Sequence, residues 1–342
     1  MNYFEHSGKV IETNNQFSHV MAIALNPVSE YKEGVLRCIT SREGGIAIAG
    51  NIDRSELHCI TGKSLEKFII GERLKIKNEY EIIKELNGKN LDFLGLEDPD
   101  IFIDEDTTLT HLYFTMPFHN KKIHGKSSTY LGHAVGKNID SLEMTMPVLM
   151  TDSVGDGAKE VSIAPKNKNG YRFNLIESSK KEKDFTYSTV RVAVSHDMGE
   201  PWEFGHIAFH PKEHNISWIA GHASPGPLFP KSFIDIGDGR LLGIINGCEA
   251  NKKINKDIKY GDFSVGLFIY DYENGKINWV SQKPFIRDSE AGINGGRAIT
   301  FASQFVETKQ GEGILYAHID DSFVRAYTLN AEKIKFLLPN LL

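Results

Sequence analysis

Residues Thr110–Met116 read THLYFTM, and residues Thr129–Val135 read TYLGHAV. Both runs are short, mostly apolar and rich in aromatic or β-branched residues, with Lys, Asn, Gly and Ser between them. Two such runs separated by turn-forming residues are typical of adjacent antiparallel strands. Similar pairs recur at Val35–Thr40 with Gly45–Asn51, Tyr171–Glu177 with Thr189–Ser195, Arg240–Asn246 with Ser264–Tyr270, and Gly313–Ala317 with Phe323–Leu329. The pattern predicts an all-β fold.

The strand pairs are spaced almost evenly. Their marker residues lie 76, 61, 69 and 73 positions apart, at Leu36, Leu112, Phe173, Leu242 and Leu315. Five near-equal units of hairpins are what a five-bladed β-propeller would give. We therefore predict one propeller domain over residues 1–342, with short terminal extensions. A β-sandwich or two small β domains is the alternative, but the repeat is long for a sandwich.

Each unit of a propeller also needs an inner strand before its hairpin and an outer strand after it. Inner-strand candidates are Ile101–Ile103, Val161–Pro165, Leu228–Pro230 and Ile299–Phe305. Trp202–Phe209 is an outer-strand candidate. A single helix is predicted at Asn78–Asn87, with Gly88 as its stop signal.

Composition and charge exclude several classes of function. The 342 residues include 39 Lys and Arg against 45 Asp and Glu, a net charge of −6, which argues against nucleic acid as the main partner. Cys38, Cys59 and Cys248 form no C-x-x-C pair, so neither a disulfide framework nor a structural zinc site is expected. The sequence lacks a signal-peptide pattern and any apolar run of about 18 residues. It predicts a cytoplasmic protein that does not bind membranes and needs no cofactor.

Polar residues at the ends of the inner strands are the candidate site. In a propeller these strands converge on a central funnel, and a polar side chain placed among apolar strands is costly to bury without a partner. Carboxyl groups recur in several units, and paired carboxyls are what glycoside cleavage needs. The predicted catalytic residues are Asp98, Glu160 and Glu290, and the predicted substrate-binding residues are Asn26, Arg42, Glu97, Asp100, Lys159, His222, His318 and Asp321.

The motifs around these residues resemble those of glycoside hydrolase family 130, the mannoside phosphorylases and mannosidases, which are five-bladed propellers. Asn26-Pro27 and Arg42-Glu43-Gly44 are similar to the family's first-blade segments. Glu97-Asp98-Pro99 resembles its Glu-Asp-Pro-Arg motif, and the segment from Lys159 to Pro165 resembles its Lys-Asn-x-x-x-x-Pro motif. The strand from Tyr316 to Asp321 resembles its last motif.

The resemblance implies a role for several of these residues. Asp98 would be the proton donor, and Lys159 and Arg42 would be phosphate ligands in a phosphorylase. Asp100 stands where the family has arginine, and Asn246 where it has histidine. Because phosphate would be repelled beside Asp100 and Glu160, we predict inverting hydrolysis of a mannoside or related glycoside. Glu160, and after it Glu290, would be the base.

Other interpretations of the same residues remain open. A phosphorylase would use inorganic phosphate as a second substrate. An arabinosidase or xylosidase type would give the catalytic role to Asp100, and a glycan-binding propeller would have no catalysis. Glu97-Asp98-Pro99-Asp100 could be a polar turn, and His222 and His318 could be core histidines. Asp321 and Glu290 could instead tie the ring closed.

Overall fold

Strands account for most of the chain in the computed structural model. It describes residues 4–11, 16–45, 52–88, 90–122, 127–150, 157–182, 185–254, 257–293 and 296–339. In these residues the strands are β1 (Phe4–Ile11), β2 (His19–Leu25), β3 (Glu33–Glu43), β4 (Ile52–Ser64), β5 (Lys67–Arg73), β6 (Leu91–Phe93), β7 (Glu97–Ile103), β8 (Thr110–Asn120), β9 (Ser127–Gly136), β10 (Glu143–Met144), β11 (Lys159–Ser162), β12 (Arg172–Glu182), β13 (Phe185–Ser195), β14 (Glu203–Phe209), β15 (His222–Leu228), β16 (Arg240–Cys248), β17 (Lys252–Ile254), β18 (Asp257–Lys259), β19 (Phe263–Asp271), β20 (Lys276–Val280), β21 (Thr300–Lys309), β22 (Glu312–Ile319) and β23 (Phe323–Asn330). Two helices accompany them, α1 (Glu79–Leu86) and α2 (Ala331–Lys335).

The strands pair mainly with their neighbours in sequence, in antiparallel fashion. One sheet has the order β2-β3-β4-β5. In a second sheet β8 pairs with β6 and β7 on one side and with β9 on the other, and β9 also pairs with β10. The runs β11 to β14 and β15-β16-β19-β20 share a sheet through one parallel pair, Ser188 with His222. The remaining four-stranded sheet has the order β1-β23-β22-β21, so the first strand pairs with the last.

The first strands of these runs contact one another in a closed ring. β2 contacts β7, β7 contacts β11, β11 contacts β15, β15 contacts β21, and β21 contacts β2. The register of each of these five strands shifts at least once along its length, as at a β-bulge. A bulge bends a strand and re-aims its side chains. In three of them the bulge holds a non-glycine residue with positive φ: Ala22 at 46°, Asp98 at 47° and Glu160 at 50°.

Apolar residues fill the space between adjacent sheets. One cluster joins Phe229 and Leu242 to Phe305 and Leu315, and so packs the β15–β16 sheet against the β21–β22 sheet. Fully buried tyrosine hydroxyls tie the sheets together as well. Tyr113 Oη donates to the Met198 carbonyl at 2.7 Å, Tyr316 Oη donates to the Leu65 carbonyl at 2.7 Å, and Tyr270 Oη donates to the Phe173 carbonyl.

The predicted all-β class is confirmed, and most of the predicted strands coincide with observed ones. The predicted strand Gly45–Asn51 lies outside the described residues except for Gly45, and the described partner of β3 is β4. β15 begins at His222, before the predicted Leu228. The predicted helix is α1, while α2 was not predicted because it is only five residues long. Among the described residues no helix is long and apolar enough to cross a membrane.

Candidate active site

A polar cavity of about 520 Å³ opens where the ring strands and their neighbours meet. We call it the main cavity. Its charged and histidine side chains are Arg37, Asp53, Glu97, Asp98, Lys159, Glu160, Glu177, His222, Arg297, His318 and Asp321. This set comes from strands far apart in sequence, so the site exists only in the folded chain.

A smaller cavity of about 170 Å³ lies beside it and is lined by residues of all five ring strands. We call it the second cavity. Its walls combine polar groups with apolar side chains, among them Phe102, Val161, Leu228 and Phe305. Asp98 and Glu160 line both cavities. These two carboxyl groups therefore lie where the cavities meet.

Arg37 of β3 holds two of the predicted carboxyls in place. Its Nη1 donates to Asp98 Oδ1 at 2.7 Å, and its Nη2 lies 2.7 Å from Glu97 Oε1. Its Nε donates to Ser55 Oγ at 3.0 Å. A guanidinium fork with several fixed partners orients both carboxyl groups. Burial raises the pKa of Glu97 to about 7, although the charge of Arg37 opposes that shift.

The backbone around Asp98 is held in an unfavourable conformation. Asp98 and Glu160 have φ of 47° and 50°, in the left-handed region that costs a non-glycine residue about 1–3 kcal/mol. Gly95, with φ of 121°, precedes Asp98, and a Cβ there would lie 2.0 Å from the Ser55 carbonyl oxygen. The close approach of this segment to β4 therefore requires glycine. Strain of this kind is concentrated at functional sites in proteins.

Glu160 differs from the other carboxyls of the main cavity. Burial, and then the charge of Asp98, raise the pKa of Glu160 well above its ordinary value. Lys159 opposes the shift, but its Nζ lies 3.2 Å from Glu177 Oε1. The Glu160 carboxyl makes no hydrogen bond or ion pair with any described residue. Its surroundings therefore favour the protonated form of the carboxyl.

Lys159 and His222 both contact the buried carboxylate of Glu177. Glu177 is 2% exposed, and its Oε2 lies 3.0 Å from His222 Nε2. Burial would raise the pKa of Glu177, but His222 and Lys159 together lower it. Burial also lowers the pKa of His222, against the effect of Glu177. The carboxylate of Glu177 therefore holds Lys159 and His222, two of the predicted substrate-binding residues, in place.

His318 and Asp321 form a second fixed pair. His318 Nε2 lies 3.2 Å from Asp321 Oδ1, and the Ala22 backbone N–H donates to His318 Nδ1 at 3.3 Å. Burial would raise the pKa of Asp321, but the hydrogen bond from His318 lowers it to about 2. The Phe301 ring stacks on the His318 ring with a centroid distance of 5.1 Å.

Four of the predicted site residues do not line the main cavity. Asn26 accepts a hydrogen bond from the Val28 N–H at 3.1 Å and caps a short turn. Arg42 makes two 2.7 Å bonds to Asp53, which does line the cavity. Glu290 pairs with Arg325 at 2.9 Å.

Asp100 is the fourth, and it lines the second cavity. Burial raises the pKa of Asp100 to about 7, against a hydrogen bond from the Ile101 backbone. The predicted repulsion of phosphate by Asp100 would therefore not arise in the main cavity.

The structure also brings in residues that the sequence did not predict, namely Arg37, Asp53, Glu177 and Arg297. Arg37 stands in a run of apolar residues and Glu177 directly follows Leu175 and Ile176, and a charge at such a position was the available signal. In the described part of the chain, no three His, Cys, Asp or Glu side chains are grouped so as to hold a metal ion.

Comparison with known proteins identifies the fold. No protein-family profile matches the sequence, and no curated protein matches it. A structure from the GH130 family of mannoside phosphorylases, reported to contain glycoside hydrolases that target β-1,2-mannosidic linkages in Candida mannan, has a TM-score of 0.68 at 17% identity. The match covers 96% of this chain and 94% of that one.

Two further structures share the fold at lower identity. The β-1,2-mannobiose phosphorylase of Listeria innocua gives a TM-score of 0.64 at 12% identity over 99% of both chains. The catalytic domain of the GH62 α-L-arabinofuranosidase of Coprinopsis cinerea gives 0.53 at 8% identity, over 96% of this chain and 97% of that one. The predicted resemblance to glycoside hydrolase family 130 is therefore confirmed at the level of the fold.

Proposed function

We propose that the chain is a glycoside-cleaving enzyme that hydrolyses a mannoside or a related glycoside. The observation that carries the proposal is the position of Asp98 and Glu160, two carboxyls that line both cavities at strand bulges. The charge of Asp98 adds to the effect of burial in raising the pKa of Glu160, which supports a common site for the two carboxyls. The solved structures of similar fold described above include glycoside hydrolases and phosphorylases.

The proposed architecture is a single five-bladed propeller domain over residues 1–342. Five runs of strands begin with β2, β7, β11, β15 and β21, and these strands contact one another in a ring. One run is completed by β1, as in a propeller whose last blade contains strands from both ends of the domain.

Hydrolysis with inversion would use the two carboxyls in different roles. One donates its proton to the glycosidic oxygen as the bond from the anomeric carbon to that oxygen breaks. The other takes a proton from the water that attacks the anomeric carbon from the opposite side. The sequence assigns proton donation to Asp98 and base catalysis to Glu160.

The surroundings of the two groups support the reverse assignment in the free protein. Arg37 is always charged and donates to Asp98 Oδ1, whereas burial favours the protonated form of Glu160. Two carboxyls whose environments separate their protonation states are typical of an acid and base pair. Asp98 and Glu160 are essential in both assignments. A substrate whose leaving group needs no proton distinguishes the two assignments, because it shows which residue is the acid.

Phosphorolysis is the second candidate, because a structure of similar fold is a phosphorylase and Lys159 lines the main cavity. The two predicted phosphate ligands are already paired, Lys159 with Glu177 and Arg42 with Asp53. This pairing favours hydrolysis. Release of mannose or of mannose 1-phosphate from β-1,2-mannobiose, measured with and without phosphate, decides between the reactions.

The catalytic pair is tested with Asp98→Asn and Glu160→Gln, and Asp92→Asn serves as a control. Asp92 is paired with Arg54 at 2.6 Å, as Asp98 is with Arg37, but does not line the main cavity. Each site variant should lose about 10²- to 10⁴-fold in kcat with an unchanged circular dichroism spectrum. The variant lacking the acid should keep most activity on 2,4-dinitrophenyl mannoside, whose leaving group needs no proton. Retention of full activity by both site variants would refute the proposal.

A further inference from the structure

Arg297 is a fixed guanidinium in the wall of the main cavity. Its Cζ lies 4.8 Å from the centre of the Tyr260 ring and 4.6 Å from that of the Phe263 ring. Its Nε donates to the Gly261 carbonyl at 2.6 Å, and its Nη2 lies 3.2 Å from Cys248 Sγ. These contacts hold the group in one orientation without neutralising its charge.

The other lysine and arginine side chains that line the main cavity already have carboxylate partners. Arg37 is bound to Asp98 and Glu97, and Lys159 to Glu177. Arg297 makes no ion pair with any described residue.

Two acidic side chains lie close to Arg297 in the fold, and both pair with another arginine. Asp262 lies 2.7 Å from Arg287 Nη2, and Glu249 lies 3.7 Å from it. Three of the five guanidinium N–H groups of Arg297 have no partner in the described chain, since its Nε and one Nη2 hydrogen account for the two contacts given above.

We propose that Arg297 binds an anionic substituent of the substrate, so that the enzyme acts on a sugar bearing a carboxylate or a phosphate group. A planar fork of N–H donors matches both anions, and a cation without a carboxylate partner is left for the ligand to neutralise. Phe263 and Phe301, which also line the main cavity, offer apolar surface to the C–H face of the same sugar. The inference rests on the proposed function, because it names the substrate class of the same cavity.

Charge-matched substrates test the inference. The probes are 4-nitrophenyl glycosides of mannose, glucose and galactose, each as the neutral sugar, the 6-carboxylate and the 6-phosphate. The wild-type kcat/KM should be about 10- to 100-fold higher for one anionic form than for its neutral partner. The carboxylate and phosphate arms show which anion the site takes, and added inorganic phosphate shows whether a free anion competes.

Arg297→Gln should abolish that preference, because it should lower kcat/KM for the anionic sugar about 10- to 100-fold more than for the neutral sugar. Arg191→Gln is the matched control, because Arg191 stacks over Phe204 at 4.6 Å and donates to the Gly205 carbonyl at 2.8 Å without lining the main cavity. The control should keep the preference. Equal loss on neutral and anionic substrates in Arg297→Gln, or no preference in the wild type, would overturn the inference.

A binding measurement separates this inference from the proposed function. Titration calorimetry with free mannuronate, glucuronate, galacturonate and the three hexose 6-phosphates does not depend on turnover. Arg297-dependent binding without hydrolysis of any probe would sustain the anion site and refute the enzyme. Hydrolysis of neutral sugars with no Arg297-dependent binding would sustain the proposed enzymatic function and refute the anion site.

Discussion

Arg37 shows how one side chain organises the candidate site. It stands in β3 between Leu36 and Cys38, both fully buried, and is itself only 8% exposed, so its charge has little contact with bulk water. Two carboxyls and one hydroxyl neutralise and orient it instead. The sequence predicted both carboxyls but not the arginine, because the fold decides which charges meet across a separation such as the 61 positions between Arg37 and Asp98.

Asp100 gives a prediction about pH. Burial raises the pKa of its carboxyl from 3.8 to about 7, so the folded chain holds this proton more tightly than the unfolded chain. The contribution of Asp100 to the free energy of unfolding therefore falls as the pH rises from about 4 to about 7. In this range the folded form binds more protons at Asp100 than the unfolded form does. Asp100→Asn removes this titration and should raise the unfolding midpoint by a few degrees at pH 8 and hardly at all at pH 4.

Thermal unfolding of the wild type and of the Asp100→Asn variant between pH 4 and pH 8 measures the effect. Asp238→Asn is the control, since Asp238 is fully exposed. Asp100→Asn should also keep its activity, because Asp100 lines only the second cavity. Loss of activity in that variant would instead support the arabinosidase-like assignment, in which Asp100 is catalytic.

At the scale of the element, the bulges of the ring strands place the site. The sequence predicted where several of these strands lie, since runs of apolar residues between turn residues report pleated backbone. It did not predict the bulges, because an extra residue in a strand leaves the composition unchanged. Glu160 illustrates the consequence: its position in the sequence suggested a site role, but its positive φ and its isolation from other partners emerge only in three dimensions.

Hydrogen bonds between sheets can be tested at this scale with Tyr113→Phe. Tyr113 of β8 is fully buried, and its hydroxyl reaches the Met198 carbonyl, which lies between β13 and β14. Removal of the hydroxyl leaves a buried carbonyl without its donor and should lower the free energy of unfolding by about 1–3 kcal/mol. Urea unfolding measures the change. Tyr80→Phe is the control because Tyr80 is 71% exposed, and an equal effect of the two substitutions would contradict the argument.

At the scale of the whole molecule, the pairing of β1 with β23 links the start of the described chain to its last strand. Ile11 is 2% exposed and packs in the cluster that contains Tyr316 and Val324. Ile11→Ala should therefore destabilise the protein by about 2–5 kcal/mol, as expected for a buried aliphatic side chain. Glu5→Ala, at an exposed position of β1, is the control. A shift no larger than that of the control in denaturant unfolding would show that β1 contributes little.

The pairing of β1 with β23 also determines when folding of the domain can be completed. Ser7 Oγ bonds the Ala326 carbonyl, and 319 positions separate the two residues. During synthesis β1 is made long before β23, which emerges only after all the strands between them. Until then its inward-facing residues lack the surface that they cover in the finished fold, and a contact so distant in sequence forms slowly. Assembly of the last sheet is therefore a late step in folding, and until it is complete β1 has an open strand edge.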